Sequence, residues 1–123
     1  MAERARFVLA ALPDRAFLLA FDEKPAGISP NFDWFAARHA DFIYIDRIVV
    51  AAEAHGQGLG KALYERLFDE AKAAGYERIA CEVNLDPPNP GSLAFHERLG
   101  FEAAGDARLE NGKTVRYFVR TVV

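Results

Sequence analysis

The chain has 123 residues, is 51% hydrophobic and 27% charged, and carries a formal net charge of -3. That length suits one domain with one core, burying roughly two-thirds of its unfolded surface and needing neither disulfides nor metals to fold. Acids and bases are interspersed, which excludes a basic footprint for nucleic acid, and a single cysteine, Cys81, excludes an internal disulfide and fits a reducing cytoplasm.

At the N-terminus, "MAERARFVLAALPDRAFLLAF" sets basic residues ahead of an apolar run. That run, "FVLAAL", stops at Pro13-Asp14-Arg15, too short for a signal-peptide core. Nothing approaches the ~18 apolar residues of a membrane span. "ARFVLAAL" and "RAFLLAFD" read as a β-hairpin, with a helix over Glu3 to Leu12 as the competing reading because Ala and Leu form strands weakly. "EKPAGISPN" reads as loop and "FDWFAARHA" as a short helix with Asn31 or Asp33 near its start. "FIYIDRIVV", Phe42 to Val50, is β-branched and aromatic, a strand spanning about 30 Å when extended.

From Gly58 onward, Leu59, Ala62, Leu63, Leu67 and Phe68 follow helical spacing, and Gly75 ends that helix as a C-cap. "ERIACEVN" is a further strand and "LDPPNPG" a loop. Ser92 is placed to cap a short helix, "LAFHERL", that Gly100 stops. "FEAAGDARL" and "TVRYFVRTVV" flank "ENGK", in which Asn111-Gly112 signals a hairpin. The order is ββ(α)βαβαββ: a mixed α/β sheet with a strand–loop–helix unit at its centre and hairpins at both ends.

That central unit carries Gly56, Gly58 and Gly60 between a strand and the first turn of a helix. Helix N-termini offer unpaired N–H groups and a partial positive charge, and glycines let backbone approach a pyrophosphate closely. Each such bond to a charged oxygen contributes roughly 1.5–3 kcal/mol. A P-loop is excluded, because Gly60-Lys61 is followed by Ala62 rather than Ser or Thr. A dinucleotide fingerprint places its third glycine elsewhere, although Glu82 lies at a plausible distance for a ribose contact. A plain turn needs one glycine, not three, so the loop reads as phosphate-binding. No cluster of His, Cys and Asp has metal-ligand spacing.

His55-Gly56-Gln57-Gly58-Leu59-Gly60, following the strand that ends Ile48-Val49-Val50, resembles motif A of the GNAT superfamily of N-acetyltransferases. "VNLDPPNPGSLAFHERLGF", Val83 to Phe101, resembles that family's later strand, loop, helix and "LGF". The resemblance covers roughly Phe7 to Val123 and is strongest from Tyr44 to Phe101. It implies an α/β (α+β) fold with a mixed, mostly antiparallel sheet. A central parallel strand pair is splayed around the cofactor, with helices on both faces. It also implies acetyl-CoA as co-substrate, with its pantetheine arm along Ile48, Val49 and Val50. The pyrophosphate would lie on His55, Gly56, Gln57, Gly58, Leu59, Gly60 and Lys61, with Asn84 and Ser92 near the thioester and pantetheine.

The implied activity is direct acetyl transfer to a primary amine of a small molecule or protein. Three departures stand out. His55 replaces the usual Arg or Gln, exchanging a fixed cation for a group titrating near about 6.5. His96 stands where many members carry a Tyr that protonates the departing CoA thiolate, a task an imidazole N–H suits. The chain also begins at or just before the hairpin, without the family's usual first strand and two helices. The expectation is a shortened start, or a pocket completed by another subunit.

Two carboxylates are candidate bases. Asp46 shares a strand face with Ile48 and Val50 by alternation, and Glu82 shares one with Asn84. Cys81 falls on the face opposite Glu82 and reads as a buried structural thiol. His39 reads as surface, while Trp34 and Phe35 line either an acceptor pocket or the core. The rival function is a CoA-binding domain without catalysis, acting as sensor or assembly subunit; a nucleotide-binding module is disfavoured by the glycine spacing. The apolar edge "RFVLAAL" invites pairing with a second chain, so the expected partners are acetyl-CoA, an amine acceptor and a homodimer mate, with no nucleic acid and no membrane.

Overall fold

The computed structural model describes residues 6–11, 16–22, 29–40, 42–50, 58–86 and 88–122. The chain runs β1 (Arg6–Ala11), β2 (Ala16–Phe21), α1 (Pro30–Ala36), β3 (Ile43–Val50), α2 (Leu59–Ala73), β4 (Arg78–Asp86), α3 (Pro90–Arg98), β5 (Glu102–Arg108) and β6 (Thr114–Thr121). This is the order read from the sequence, and β1 is a strand rather than the competing helix. The turn at Pro13-Asp14 and most of "EKPAGISPN" lie outside the described residues. No described helix is long and apolar enough to cross a membrane.

The strands form one six-stranded sheet in the order β1-β2-β3-β4-β6-β5. Only β3 and β4 are parallel neighbours, as the crossover through α2 requires. Period-2 alternation gives the sheet two apolar faces. On one, Leu18, Ala20, Ile43, Ile45, Ile79, Cys81, Val83 and Phe118 pack under Leu63, Tyr64, Leu67 and Ala71 of α2, with Leu93, Phe95 and Leu99 of α3 beside them. On the other, α1 lays Phe32 and Phe35 over Phe42, Tyr44, Ala80, Val115 and Tyr117. Burial on both faces explains why "FIYI" reads as one continuous apolar run.

Helix starts correct the sequence reading. Ser29 caps α1, its Oγ accepting from the Phe32 N–H at 3.2 Å. Asn89, not Ser92, caps α3, accepting the Ser92 N–H at 3.3 Å. Each cap is followed by a proline, Pro30 or Pro90, whose missing N–H costs nothing at the first helical position and whose fixed φ suits it. "SPN" and "NPGS" therefore open helices instead of lying in loops. The helix ends match expectation. Gly75 (φ 91°) and Gly100 (φ 94°) adopt left-handed backbone. The Tyr76 and Phe101 N–H groups bond the Ala71 and His96 carbonyls at 2.9 and 3.1 Å, closing a Schellman turn at both sites.

Outside the helices, two glycines matter. Gly112 (φ 88°) supplies the left-handed residue of the β5–β6 turn, its N–H bonded to the Leu109 carbonyl at 3.0 Å. Gly105 lies beneath Trp34, which stacks on its cross-strand partner Tyr117 with ring centroids 4.2 Å apart. A Cβ at position 105 would sit 2.8 Å from Trp34 Cζ2. Gly105→Ala should therefore cost about 1–3 kcal/mol by overpacking, read as a lower urea midpoint at unchanged slope; an unchanged midpoint would show that Trp34 moves aside freely.

Candidate functional site

The β3–β4 ladder is short. Ile43 pairs Ile79 and Tyr44 pairs Ala80, after which the strands part, although β3 runs on to Val50 and β4 to Asp86. Each parting strand also carries a bulge against its outer neighbour. On β3, Leu19 faces Arg47 and Ala20 faces Ile45, leaving Asp46 as the extra residue. On β4, Asn84 faces Val115 and Asp86 faces Thr114, leaving Leu85 extra. Bulges bend and twist a strand locally, so two of them on diverging strands fit an opened seam.

The Asp46 bulge corrects one expectation. Strict alternation would put Asp46 with Ile48, but Ile48 packs on the α2-side core together with Ile45, three residues earlier. Asp46 is half-buried and its charge acts on the Tyr44 phenol. On β4 the alternation holds. Cys81 is buried on the α2 side, its thiol pushed up by burial and then by the Glu82 charge, while Glu82 and Asn84 share the other face, half-buried.

Glu82 is held from across the gap. The Tyr44 phenol donates to Glu82 Oε1 at 2.7 Å. Burial first, and the Glu82 charge second, push the Tyr44 phenol far above its ordinary range, so it stays protonated; a hydrogen bond from Ser29 acts the other way. Beside it, the Tyr117 phenol donates to Asn31 Oδ1 at 2.9 Å. Trp34 and Phe35 are core residues here, Trp34 clamped between Tyr117 and the Arg38 guanidinium, which lies 3.7 Å from its ring centroid.

At the start of α2 the arrangement differs from the other two described helices. Its N-cap is Gly58, exposed and left-handed at φ 75°, with no side-chain cap; like α3, it has no acid in the first turn. Leu59, Gly60 and Lys61 form that turn. The bare N–H groups and the helix dipole suit an anion. His55, Gly56 and Gln57 lie outside the described residues. Of the expected pantetheine contacts, Ile48 is half-buried, Val49 is 42% exposed beside Phe17, its cross-strand partner at 39%, and Val50 closes β3. A cavity of about 360 Å³ lies between α2 and α3, lined by Lys61, Phe95, Arg98 and Leu99.

His96 departs furthest from expectation. Rather than a surface ring, it is a buried one, 6% exposed and stacked on Phe118. Its Nδ1 lies 2.7 Å from the Ser92 carbonyl and 3.3 Å from Ser92 Oγ, and Nε2 lies 2.7 Å from the Tyr64 hydroxyl. A carbonyl only accepts, so Nδ1 carries the proton and Nε2 accepts from Tyr64. Burial lowers the His96 pKa, opposed by the Ser92 backbone bond. The ring is neutral, and its one N–H is committed to the helix backbone. In this arrangement it has no proton facing outward to give.

Sequence reasoning missed Tyr44, Tyr117, Asn31 and Arg98. The first two lie within apolar runs, and no spacing announces that Tyr44 and Glu82, 38 positions apart, meet. Among the described residues no group of three His, Cys, Asp or Glu could hold a metal ion.

Comparisons with known proteins point one way. The profile of the acetyltransferase (GNAT) family matches residues 3–101. A phosphinothricin N-acetyltransferase of Streptomyces viridochromogenes is 31% identical over 83 residues, 68% of this chain and 44% of that protein. The chain spans less than half the length of the curated relatives it matches. Among solved structures, the ribosomal-protein-S18-alanine N-acetyltransferase of Escherichia coli superposes with a TM-score of 0.69 at 23% identity, over 97% of this chain and 69% of that one. A Bacillus anthracis acetyltransferase solved with acetyl coenzyme A gives 0.66 at 20% identity, over 87% of this chain and 55% of that one.

Proposed function

The chain belongs to the acetyltransferase (GNAT) family, and on that premise we propose that it transfers the acetyl group of acetyl-CoA to a primary amine of a small molecule or protein. The observation that carries this reading is the bare first turn of α2, joined by residues 51–57 to the end of β3 where the sheet opens. The residues fit the co-substrate's parts. The uncapped N–H groups, with the glycine loop, suit a pyrophosphate, Lys61 and Arg98 suit further phosphate, and the inner edges of β3 and β4 beyond their short ladder suit the amides of a pantetheine arm.

Acetyl-CoA supplies the activated acyl group. In this reading Glu82 accepts the proton of the attacking amine as its nitrogen–carbon bond forms and the carbon–sulfur bond breaks, and backbone N–H groups near Val50 polarise the carbonyl. Asp46, beside the same phenol, is the alternative base. In the same reading Asn84 and Ser92 contact the thioester and pantetheine, and His96 enters as a support of α3 rather than as the acid.

A second reading, a CoA-binding domain without catalysis, draws on the same ring, because a committed His96 leaves the departing thiolate without that donor. Release of CoA thiol in the presence of a panel of primary amines separates the two. Turnover with any amine supports transfer, and tight acetyl-CoA binding without turnover supports the binding domain. The homodimer this reading expects pairs along the outer edge of β1, which sits at the end of the sheet order; sedimentation at high concentration checks it, and a monomer counts against it. The single buried thiol fits a cytoplasmic setting.

A further inference from the structure

Backbone pairing between β3 and β4 ends at Tyr44 and Ala80, and beyond that point the Tyr44 phenol spans the gap to Glu82 Oε1 at 2.7 Å. Tyr44 is 3% exposed and held edge-on to Phe32, with ring centroids 5.7 Å apart and planes at 90°. Its hydroxyl also takes a bond from Ser29, whose oxygen caps α1 by accepting the Phe32 N–H. The capped start of α1, the Tyr44 phenol and the Glu82 carboxylate thus form one chain of donors that ends on the carboxylate.

We propose that Tyr44 is a positioning residue that aims Glu82 into the opening between β3 and β4 and holds it ionised, ready to take a proton from the acceptor amine. The inference rests on the reading of Glu82 as the base. A phenol that donates to a carboxylate favours its charged form, and the bond fixes one oxygen in a single direction. Toward Glu82 the Tyr44 phenol is the donor, because burial and the neighbouring charge keep it protonated.

Among the described residues, the Glu82 charge acts on Tyr44 from β3, Tyr117 from β6, Tyr64 from α2 and Cys81 on its own strand. All four have pKa values raised, so each is uncharged near neutrality. The nearby charges are Asp46, acting on Tyr44, and Arg38, acting on Tyr117.

The test needs no acceptor. Protein carrying ¹³C at the glutamate carboxyl is titrated by NMR, with Glu82→Gln assigning the signal. Tyr44→Phe should raise the proton affinity of Glu82 about tenfold, moving its titration to higher pH, the size expected for one hydrogen bond lost to a charged group. Tyr117→Phe, which loses a bond to Asn31 instead, should leave the Glu82 titration nearly in place and serves as the folding control. An unmoved Glu82 signal in folded Tyr44→Phe overturns the proposal. Acetyl transfer that survives Glu82→Gln overturns the base reading instead, whatever the NMR shows.

Discussion

Gly58→Glu should abolish acetyl-CoA binding, lowering affinity at least a hundredfold in a calorimetric titration. The N–H groups of α2's first turn have no side-chain cap, and an anion there is the favoured occupant. A carboxylate at the N-cap supplies that anion permanently, competing for the same N–H groups and repelling the pyrophosphate. Two bonds to a charged oxygen contribute roughly 3–6 kcal/mol together, and a hundredfold loss needs only about 2.7 kcal/mol.

The fold should survive the substitution, because a Cβ at position 58 meets nothing within 4 Å. The backbone cost comes from φ 75°, about 1–2 kcal/mol for a non-glycine residue. Gly58→Ala carries that strain without the charge, so it separates conformation from electrostatics. Undiminished binding in folded Gly58→Glu would mean that the phosphates bind elsewhere, and the phosphate-loop reading would fall with it.

Acid should weaken the fold through His96. Burial lowers this group's pKa, so the native ring resists a proton that the unfolded chain accepts near about 6.5. The unfolded state therefore binds more protons as the pH falls. Stability from the neutral ring is fully present above the unfolded pKa and is lost between that value and the lower folded one. For one group the slope reaches at most about 1.4 kcal/mol per pH unit.

His96→Gln tests the cause, since an amide can donate to the Ser92 carbonyl and accept from Tyr64 without titrating. It should shrink the limb below about pH 6.5 in urea unfolding, leaving the share of His39, whose pKa is also lowered by burial and by Arg78 and Arg38, at some cost in packing. Tyr64→Phe leaves Nε2 without its donor and should cost about 1–3 kcal/mol. Asp106, held below its usual range by its bond to Arg116, has its own window below 3.8 and does not blur the result. A wild-type stability that stays flat from pH 7 to 5 would contradict the burial argument.

Much of this molecule was legible from residue order. The β-branched and aromatic run "FIYIDRIVV", the helical spacing after Gly58, and the glycines at 75, 100 and 112 announce the central strand–helix unit and the ends of α2, α3 and the last hairpin, whereas β1 is open between strand and helix. The missed helix starts share one cause. Proline was weighed as a breaker, whereas after Ser29 and Asn89 it is the first helical residue. The Asp46 bulge escaped because it exists only against the register of β2. Neither Tyr44 reaching Glu82 nor Tyr64 burying His96 has a local signature, since each needs two elements brought together by the crossover.

The short ladder between β3 and β4 makes the sheet two plates of three strands, β1-β2-β3 and β4-β6-β5, stitched by two residue pairs and braced by α2. Along the open seam, each plate presents an inner rim of peptide groups that lies beyond the two-pair ladder and faces the opening. Such a rim recognises spacing before identity: it suits an extended molecule carrying amides at strand-like intervals, largely whatever its side groups. If one seats there, as the proposed function expects, it bridges the two plates and becomes structural material of the sheet. Amides on the facing rims should then exchange with solvent freely in the empty protein and slowly in the filled one.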